Sequence, residues 1–327
     1  MPIIKTTTVA TGAVAPVGGR RLTDNAADTV RGIGLAALAY CVLSIGDASA
    51  KWAMLPTSAA WVLLWRGAFG AATIGAVTLA RPSAGGPGAS GPNAGGWARL
   101  MPVRWKLLLV RAGLSSFTTI AWYLSWRRMQ LADTYALGFT APLLMTLLAV
   151  PLLRERIRWR RMLSTVLGFG GVLIMLRPSG GLWNPALPLL MAGIVAMAVT
   201  RIQARQLSLT ETPECQAFWL MVSHGLMGLA LLGLFPPAGF GDWAVWGALA
   251  FLGISSGLAH WIFTQAYGLA PVSALAPYEY TMLIWGGAAG FVLFGEVPSW
   301  STVIGAAIVA AAGLYNLHRE RVRRGEE

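Results

Sequence analysis

Residues 59–80 read AAWVLLWRGAFGAATIGAVTLA, an apolar stretch that contains a single charged side chain, Arg66. A helix needs about 20 predominantly apolar residues to cross the hydrocarbon core of a bilayer, and this stretch is long enough. Because lipid offers backbone amides no hydrogen-bond partners, a stretch of this kind has to be helical. The segment therefore predicts a transmembrane helix.

The rest of the chain repeats this pattern. Its 327 residues are 56% hydrophobic and 12% charged, whereas soluble domains are about 25% charged. This composition excludes an ordinary soluble enzyme, a disordered chain and a disulfide-rich secreted module. We expect an all-α integral membrane protein with ten transmembrane helices, near 32–55, 59–80, 107–126, 132–153, 162–176, 186–204, 215–235, 243–265, 274–294 and 301–317.

The basic residues predict an orientation for these helices. If the N-terminus is inside, 19 of the 25 Lys and Arg residues fall on the inner side and three on the outer side. Inner loops of membrane proteins are enriched in Lys and Arg, so we expect both termini in the cytoplasm. Residues 1–31, expected to be disordered, and 318–327 are then cytoplasmic tails. The net charge of +12 needs no nucleic acid to explain it, because inner arginines meet anionic lipid.

Short matches between the two halves indicate an internal repeat. A weaker match sets Arg66-Gly67 beside His224-Gly225, and Glu155 and Glu296 each follow the fourth helix of their half. The stronger matches pair Leu131-Ala132 and Ala136-Leu137 with Leu269-Ala270 and Ala274-Leu275, and 164–168 with 301–305. Each half has five spans, so the second enters the membrane inverted, as in carriers with a binding site between two repeats.

Ionisable residues within the spans are candidates for that site, since each costs about 2.5–3.5 kcal/mol at a helix centre unless it is paired or faces a cavity. Asp47 and Lys51 share one face of the first helix. They form either a cavity pair that opens for a polar solute or a structural ion pair at the outer end. Arg66 is a fixed cation for an anionic group, a partner for Asp47, or a strut between helices.

Glu279 lies six residues into the ninth predicted helix, just after Pro277. A buried carboxyl at this place suits proton exchange or a cationic solute group; alternatively Arg66 or Arg111 neutralises it. His224, matched to Arg66 by the repeat, is a cavity residue or a packing residue. We expect Arg111, Glu155 and Glu296 to be structural, the arginine at a span end and the two glutamates as caps or loop anchors.

Further motifs carry a resemblance to a known family. They are the 168–174 stretch GFGGVLI running to Arg177-Pro178, Asp47-x-x-x-Lys51 before Trp65-Arg66, and Ala276-Pro277-x-x-Tyr280 before Phe294-Gly295-Glu296-x-Pro298. Over residues 32–320 the chain resembles bacterial ten-helix carriers of the drug/metabolite transporter superfamily, the EamA type. The last two motifs are similar to a subgroup that includes riboflavin and S-adenosylmethionine uptake carriers.

This resemblance implies repeats at 32–178 and 185–317 and secondary active transport of a small polar metabolite across the bacterial cytoplasmic membrane by alternating access. Riboflavin-like, S-adenosylmethionine-like and amino-acid-like solutes are the candidates. It adds Trp122, Tyr123, Tyr278 and Tyr280 as aromatic cavity residues. We expect no cofactor and no metal; protons are the candidate coupling ion, and monomer and homodimer stay open.

A membrane-embedded enzyme acting on a lipid or isoprenoid is the alternative. Such an enzyme needs carboxylates for Mg²⁺ or a His-rich set at the inner loops. Here those loops carry arginines, and Glu211 and Glu214 are the acidic pair beside them. We therefore favour the transporter.

Overall fold

The computed structural model describes residues 26–81, 96–141, 143–144, 159–176, 185–270, 275, 278–279 and 281–326. Within these ranges the regular structure is helical, which confirms the predicted all-α class. The α-helices are α1 (Ala26–Ala53), α2 (Ala59–Ala80), α3 (Trp105–Trp126), α4 (Leu131–Gly138), α5 (Trp159–Leu176), α6 (Leu187–Leu207), α7 (Pro213–Leu231), α8 (Trp243–Leu269), α9 (Thr281–Phe294) and α10 (Trp300–Glu326). A short 3-10 helix, Gly96–Leu100, precedes α3.

Polar caps set the first residues of three of these helices. The side chain of Ser58 accepts a hydrogen bond from the Trp61 amide at the start of α2. Thr212 and Asp242 do the same for the third residues of α7 and α8. The first amides of a helix have no partner within the helix, so these side chains satisfy donors that lipid cannot.

Several helix ends differ from the predicted spans, most of all at the two ends of the chain. Helix α1 begins at Ala26 instead of 32, and α10 continues to Glu326, through most of the predicted tail 318–327. Arg and Glu are good helix formers, so a polar end can extend an apolar helix beyond the lipid. The part of the fourth predicted span that follows Leu144 lies outside the described residues, and so does Glu155.

Several helices have the length and composition of membrane spans. Among the described residues, five are long and apolar enough to cross a membrane: Val30–Ala53, Ala59–Ala80, Trp105–Trp126, Leu187–Ala204 and Trp243–Leu269. Ile284–Phe294 and Trp300–Ala312 are shorter apolar helices. Large apolar side chains such as Leu173, Phe291 and Val292 point outward and are exposed. Exposed apolar faces of this kind are suited to contact with acyl chains.

The helix contacts show a regular relation between α1–α5 and α6–α10. Helix α1 packs on α8, and α6 packs on α3; α2 packs on α8, and α7 packs on α3. Three further contacts join α2 with α7, α4 with α9, and α5 with α10. When every helix number is shifted by five, the α1–α8 contact becomes the α6–α3 contact, and the α2–α8 contact becomes the α7–α3 contact. The α2–α7, α4–α9 and α5–α10 contacts stay the same.

Glycines allow α2 and α7 to approach at backbone distance. A Cβ atom at Gly67 would overlap the backbone of Gly225, and one at Gly228 would overlap the backbone of Leu64. Small residues at such crossings are what permit close packing of membrane helices. The weakest sequence match, Arg66-Gly67 with His224-Gly225, therefore falls where the second helix of each half meets the other.

Candidate functional site

A cavity of about 150 Å³ lies inside the bundle, between α1, α2 and α3 on one side and α6 and α8 on the other. We call it the central cavity. Its polar and aromatic lining includes Tyr40, Asp47, Arg66, Arg111, Trp122, Tyr123, Trp126, Tyr135, Thr200, Arg201, His260, Phe263 and Glu279. Two acid–base pairs dominate this lining.

The first pair joins α1 to α2. Arg66 Nη1 lies 3.4 Å from Asp47 Oδ1 and donates a hydrogen bond of 2.9 Å to the Tyr123 hydroxyl. The other carboxylate oxygen of Asp47 accepts a hydrogen bond of 2.9 Å from the Tyr135 hydroxyl. Arg66 is 4% exposed, and its Nε has no hydrogen-bond partner among the described residues. This donor of the guanidinium is the one that a bound molecule or water can use.

The second pair joins α6 to the turn before α9. Arg201 forms an ion pair with Glu279, and the Tyr40 hydroxyl donates a hydrogen bond of 2.9 Å to Glu279 Oε1. The ring of Phe263 lies 5.9 Å from the Arg201 guanidinium carbon and packs edge-on against Tyr40. The two pairs are thus similar in composition: each has a carboxylate and an arginine, with two tyrosine hydroxyls at the first pair and one at the second.

Burial determines what such pairs can do. Separating a buried ion pair leaves two uncompensated charges, whereas exchanging one partner for a ligand group of the same sign keeps the charge balanced. A solute with a carboxylate, an ammonium or several hydrogen-bond groups can enter the cavity by such an exchange. Trp122, which packs on Tyr135 with ring centroids 5.6 Å apart, adds an aromatic surface for a flat group.

The other basic residues in and beside the central cavity, Arg111, His260 and His224, do not form ion pairs among the described residues. Arg111 donates a hydrogen bond of 3.2 Å to Gln216 Oε1 and has no carboxylate partner among the described residues. His260 lines the cavity, and its ring centroid lies 6.4 Å from that of His224. His224 is fully buried behind it, with Nε2 at 3.3 Å from Thr119 Oγ1.

The structure brings together five of the nine residues singled out from the sequence: Asp47, Arg66, Trp122, Tyr123 and Glu279. His224 and Tyr278 lie close to the central cavity but not among its lining residues. Lys51 lies in a different cavity, and Tyr280, like Pro277, lies outside the described residues.

One expected pairing is observed and one is not. Asp47 pairs with Arg66, which was one of the alternatives for that arginine, and not with Lys51 on its own helix. Glu279 is neutralised by Arg201 rather than by Arg66 or Arg111. Sequence spacing describes contacts within one helix, so it cannot select among arginines that lie on different helices.

Sequence reasoning missed Tyr40, Tyr135 and Arg201. Arg201 is one of the 19 basic residues counted on the inner side, although it lies within the predicted span 186–204 and within α6. A signal was available, because cavity-lining residues of α6 fall at positions 197, 200, 201 and 204, the spacing of one helix face. The arginine at this face marks a polar interior more clearly than an inner loop.

A second cavity, of about 500 Å³, lies beside the end of α3. Its lining consists of Lys51, Met54, Leu55, Trp126, Arg127, Arg128, Met129, Gln130 and Glu296. Lys51 forms an ion pair with Glu296, whose other carboxylate oxygen accepts a hydrogen bond of 2.9 Å from the Leu131 amide. The expected role of Glu296 as a cap and loop anchor matches this contact. Trp126 lines both cavities.

At the opposite end of α3, two acidic residues hold the α2–α3 connection. Glu214 is fully buried and pairs with Arg81 at 2.8 Å and Arg99 at 3.5 Å. Glu211 accepts hydrogen bonds from the amides of Val103 and Arg104. These carboxylates are occupied by basic and amide groups. Among the described residues, no group of three or more His, Cys, Asp or Glu side chains is arranged to hold a metal ion.

Comparison with known proteins places these features in a wider context. Residues 30–177 and 184–316 each match the EamA-like transporter family. An S-adenosylmethionine uptake transporter of Rickettsia prowazekii (strain Madrid E) is 27% identical over 215 residues, 65% of this chain and 72% of that protein. A riboflavin transporter of Rhizobium johnstonii is 28% identical over 221 residues, 66% and 71% of the two chains.

A second riboflavin transporter, from Vibrio cholerae serotype O1, is 28% identical over 211 residues, 63% of this chain and 68% of that protein. One solved crystal structure superposes on the fold with a TM-score of 0.63 at 19% identity, covering 92% of this chain and 99% of the other. At that identity the likeness concerns the fold alone.

Proposed function

Because the chain belongs to the EamA-like transporter family, we propose that the central cavity is where this transporter holds its solute during passage through the membrane. The protein is a multi-pass membrane transporter of a small metabolite. Family membership decides for a transporter and against the lipid or isoprenoid enzyme that the sequence left as an alternative.

The proposed architecture is ten transmembrane helices in two inverted repeats, 32–178 and 185–317, each matching one copy of the family domain. The helix contacts support it, since shifting every helix number by five exchanges or preserves the major helix pairings. An odd number of helices in each repeat gives them opposite orientations. With the basic residues inside, both tails, 1–31 and 318–327, lie in the cytoplasm of a bacterial cell.

One observation carries the assignment of the site. Each proposed repeat contributes one buried acid–base pair to the same cavity: Asp47 with Arg66 from the first, and Glu279 with Arg201 from the second. A solute that bridges the two pairs contacts both repeats at once. Rocking of one repeat against the other can then expose the solute to either side, which is alternating access.

The lining indicates the class of solute. It combines fixed charges with the rings of Trp122, Tyr123 and Tyr135, so it suits a small polar molecule with a flat or heteroaromatic part. Riboflavin, S-adenosylmethionine and amino acids are the first candidates. A volume of about 150 Å³ is below the roughly 300–1,000 Å³ of most ligand pockets. Binding a flavin here therefore requires the cavity to widen.

We propose protons as the coupling ion, with Glu279 as the exchangeable carboxyl. Its position between Arg201 and Tyr40 lets a cationic solute and a proton compete for the same oxygen atoms. Dissipating the proton gradient in energised vesicles should abolish concentrative uptake. Unchanged uptake would reject proton coupling and leave the solute site itself intact.

The experiment that tests the function is a ligand screen followed by flux. Purified protein is heated with flavins, S-adenosylmethionine, amino acids or nucleosides, and a ligand at 100 times its dissociation constant stabilises by about 2.7 kcal/mol. Each compound that raises the melting temperature is then tested for uptake into proteoliposomes.

The matched control for this screen is the double variant Asp47→Asn/Arg66→Gln, which removes one pair without leaving a lone charge. A compound carried by the wild type should neither stabilise this variant nor enter its liposomes. A carried compound that stabilises both proteins equally would place the solute site elsewhere.

A further inference from the structure

The second cavity has an excess of positive charge. Three cationic side chains, Lys51, Arg127 and Arg128, line it with a single carboxylate, Glu296. Both arginines are exposed, and within the described part of the chain neither has an ion-pair partner. A concave surface lined by charges of one sign concentrates ligands of the opposite sign.

Lys51 is the buried member of these three cations, and its ammonium group already has several partners. Its ammonium group pairs with Glu296, donates a hydrogen bond of 3.2 Å to the Met129 carbonyl, and lies 5.1 Å from the Phe294 ring centroid. Glu296 belongs to the α9–α10 connection, and Met129 to the α3–α4 connection. The carboxylate of Glu296 therefore sits where an anion from solution would meet Lys51.

The size of the second cavity also suits a ligand. Its volume of about 500 Å³ exceeds the roughly 150 Å³ of the central cavity and falls within the usual range for small-molecule sites. Trp126 lines both cavities. The two cavities are therefore neighbours that share this residue.

We propose that the second cavity is a separate anion-binding site for molecules with a carboxylate or phosphate group. The anion first contacts Arg127 and Arg128 and then takes the place of Glu296 at Lys51. Displaced Glu296 no longer holds the Leu131 amide, so α4 and the α9–α10 connection lose a shared contact. A role of this site as an approach to the central cavity rests on the proposed function. Anion binding itself can be measured without transport.

The first test measures binding of inorganic phosphate to the purified full-length protein in neutral detergent, by calorimetry at constant ionic strength. The variant Arg127→Gln/Arg128→Gln should bind at least about tenfold more weakly, since two charge-assisted contacts are lost. Its control is Arg104→Gln/Lys106→Gln, which removes two exposed charges at the other end of the same helix. The control should stay within about twofold of wild type.

The second test uses the internal competitor. Glu296→Gln keeps an oxygen acceptor for the Leu131 amide but frees Lys51 from its ion pair, so phosphate should bind about fivefold more tightly. Absence of saturable phosphate binding to the wild type overturns the site, as does equal weakening in both arginine variants or weaker binding by Glu296→Gln. A protein that transports its solute yet fails these tests retains the proposed function and loses this site alone.

The anionic group can come from a free solute or from a lipid headgroup, and nanodiscs distinguish the two. In neutral phosphatidylcholine nanodiscs a solute site binds phosphate as in detergent. The headgroup is the occupant if two results are obtained. Phosphatidylglycerol nanodiscs suppress phosphate binding to the wild type, and Arg127→Gln/Arg128→Gln has the same melting temperature in phosphatidylglycerol as in phosphatidylcholine. If phosphate binds equally in both lipids, the occupant is a free anion.

Discussion

The two cavities use the same residue types and differ in how their charges are balanced. In the central cavity each carboxylate has its own arginine, Asp47 with Arg66 and Glu279 with Arg201. In the second cavity three cations share Glu296. Burial accounts for much of the difference, because an unpaired charge is costly inside the protein and cheap where water reaches it. Arg111 is the exception in the central cavity, since it is buried and donates a hydrogen bond to Gln216 instead of meeting a carboxylate among the described residues.

The difference in balance implies a difference in role. Paired charges in a buried cavity provide contacts that a solute can take over only if its own groups match them. The central pairs therefore determine which solutes bind. Unpaired cations in an open cavity act over a longer distance and attract without strict geometry. If the two roles differ in this way, variants of the central pairs should impair flux more than variants of the second cavity.

Arg66→Ala should reduce solute flux by about 100-fold. The substitution removes the partner of Asp47 and the donor to Tyr123, and truncating one member of a buried pair costs about 3–5 kcal/mol. Initial uptake rates in proteoliposomes, normalised to protein inserted, measure the effect.

A double variant separates a solute contact from a strut at Arg66. In Asp47→Asn/Arg66→Gln no charge is left unpaired, so the melting temperature should recover while flux stays low. Recovery of flux to near the wild-type rate would show that the pair only holds the helices together.

Arg201→Ala should reduce flux by about 30-fold, and Arg201→Lys should recover part of the loss. Lys keeps the charge opposite Glu279 but not the planar guanidinium that also reaches the Tyr40 hydroxyl at 3.4 Å. The measurement is the same uptake assay with Arg104→Gln as the control, a basic residue remote from both pairs. Equal flux for Arg201→Lys and Arg201→Ala would contradict a charge role.

Lys51→Met, which breaks the contact between Lys51 and Glu296, should lower flux by about tenfold. This loss is smaller than that expected for Arg66→Ala or Arg201→Ala. This pair is partly exposed, so solvent screens it more than the buried pairs. The exchange Lys51→Glu/Glu296→Lys preserves attraction and should return most of the rate lost in Lys51→Met. A swapped protein as impaired as the single variant would show that charge position, and not pairing, matters in the second cavity.

Much of the fold follows from the sequence. Long apolar runs leave the backbone no alternative to a helix, and nine of the ten predicted segments overlap a described helix over most of their length. The polar end of α10 was not predicted, because apolar periodicity gives no information once a helix leaves the lipid. The ten crossings and the inverted repeats stay predictions, supported by helix pairings that exchange under a shift of five.

The site was less predictable than the fold. Asp47, Arg66 and Glu279 stand out because a charge within an apolar run is costly, and the structure brings all three to one cavity. Their partners depend on which helices are neighbours, as the pairings of Glu279 with Arg201 and Lys51 with Glu296 show. Tyr40 and Tyr135 carry no charge, so nothing in the sequence separated them from packing residues.

The boundary between the cavities should give the smallest effect. The Trp126 indole N–H donates a hydrogen bond of 2.9 Å to Thr134 Oγ1, which in turn donates to the Leu131 carbonyl. Trp126→Phe removes the donor and leaves Thr134 bonded, so flux should fall by only about twofold. Thr134→Val strands the buried indole N–H, at a cost of about 1–3 kcal/mol, and should lower the melting temperature more than Trp126→Phe does. If Trp126→Phe instead reduces flux as much as Arg66→Ala, the ring is a direct solute contact, and the two cavities form one continuous site.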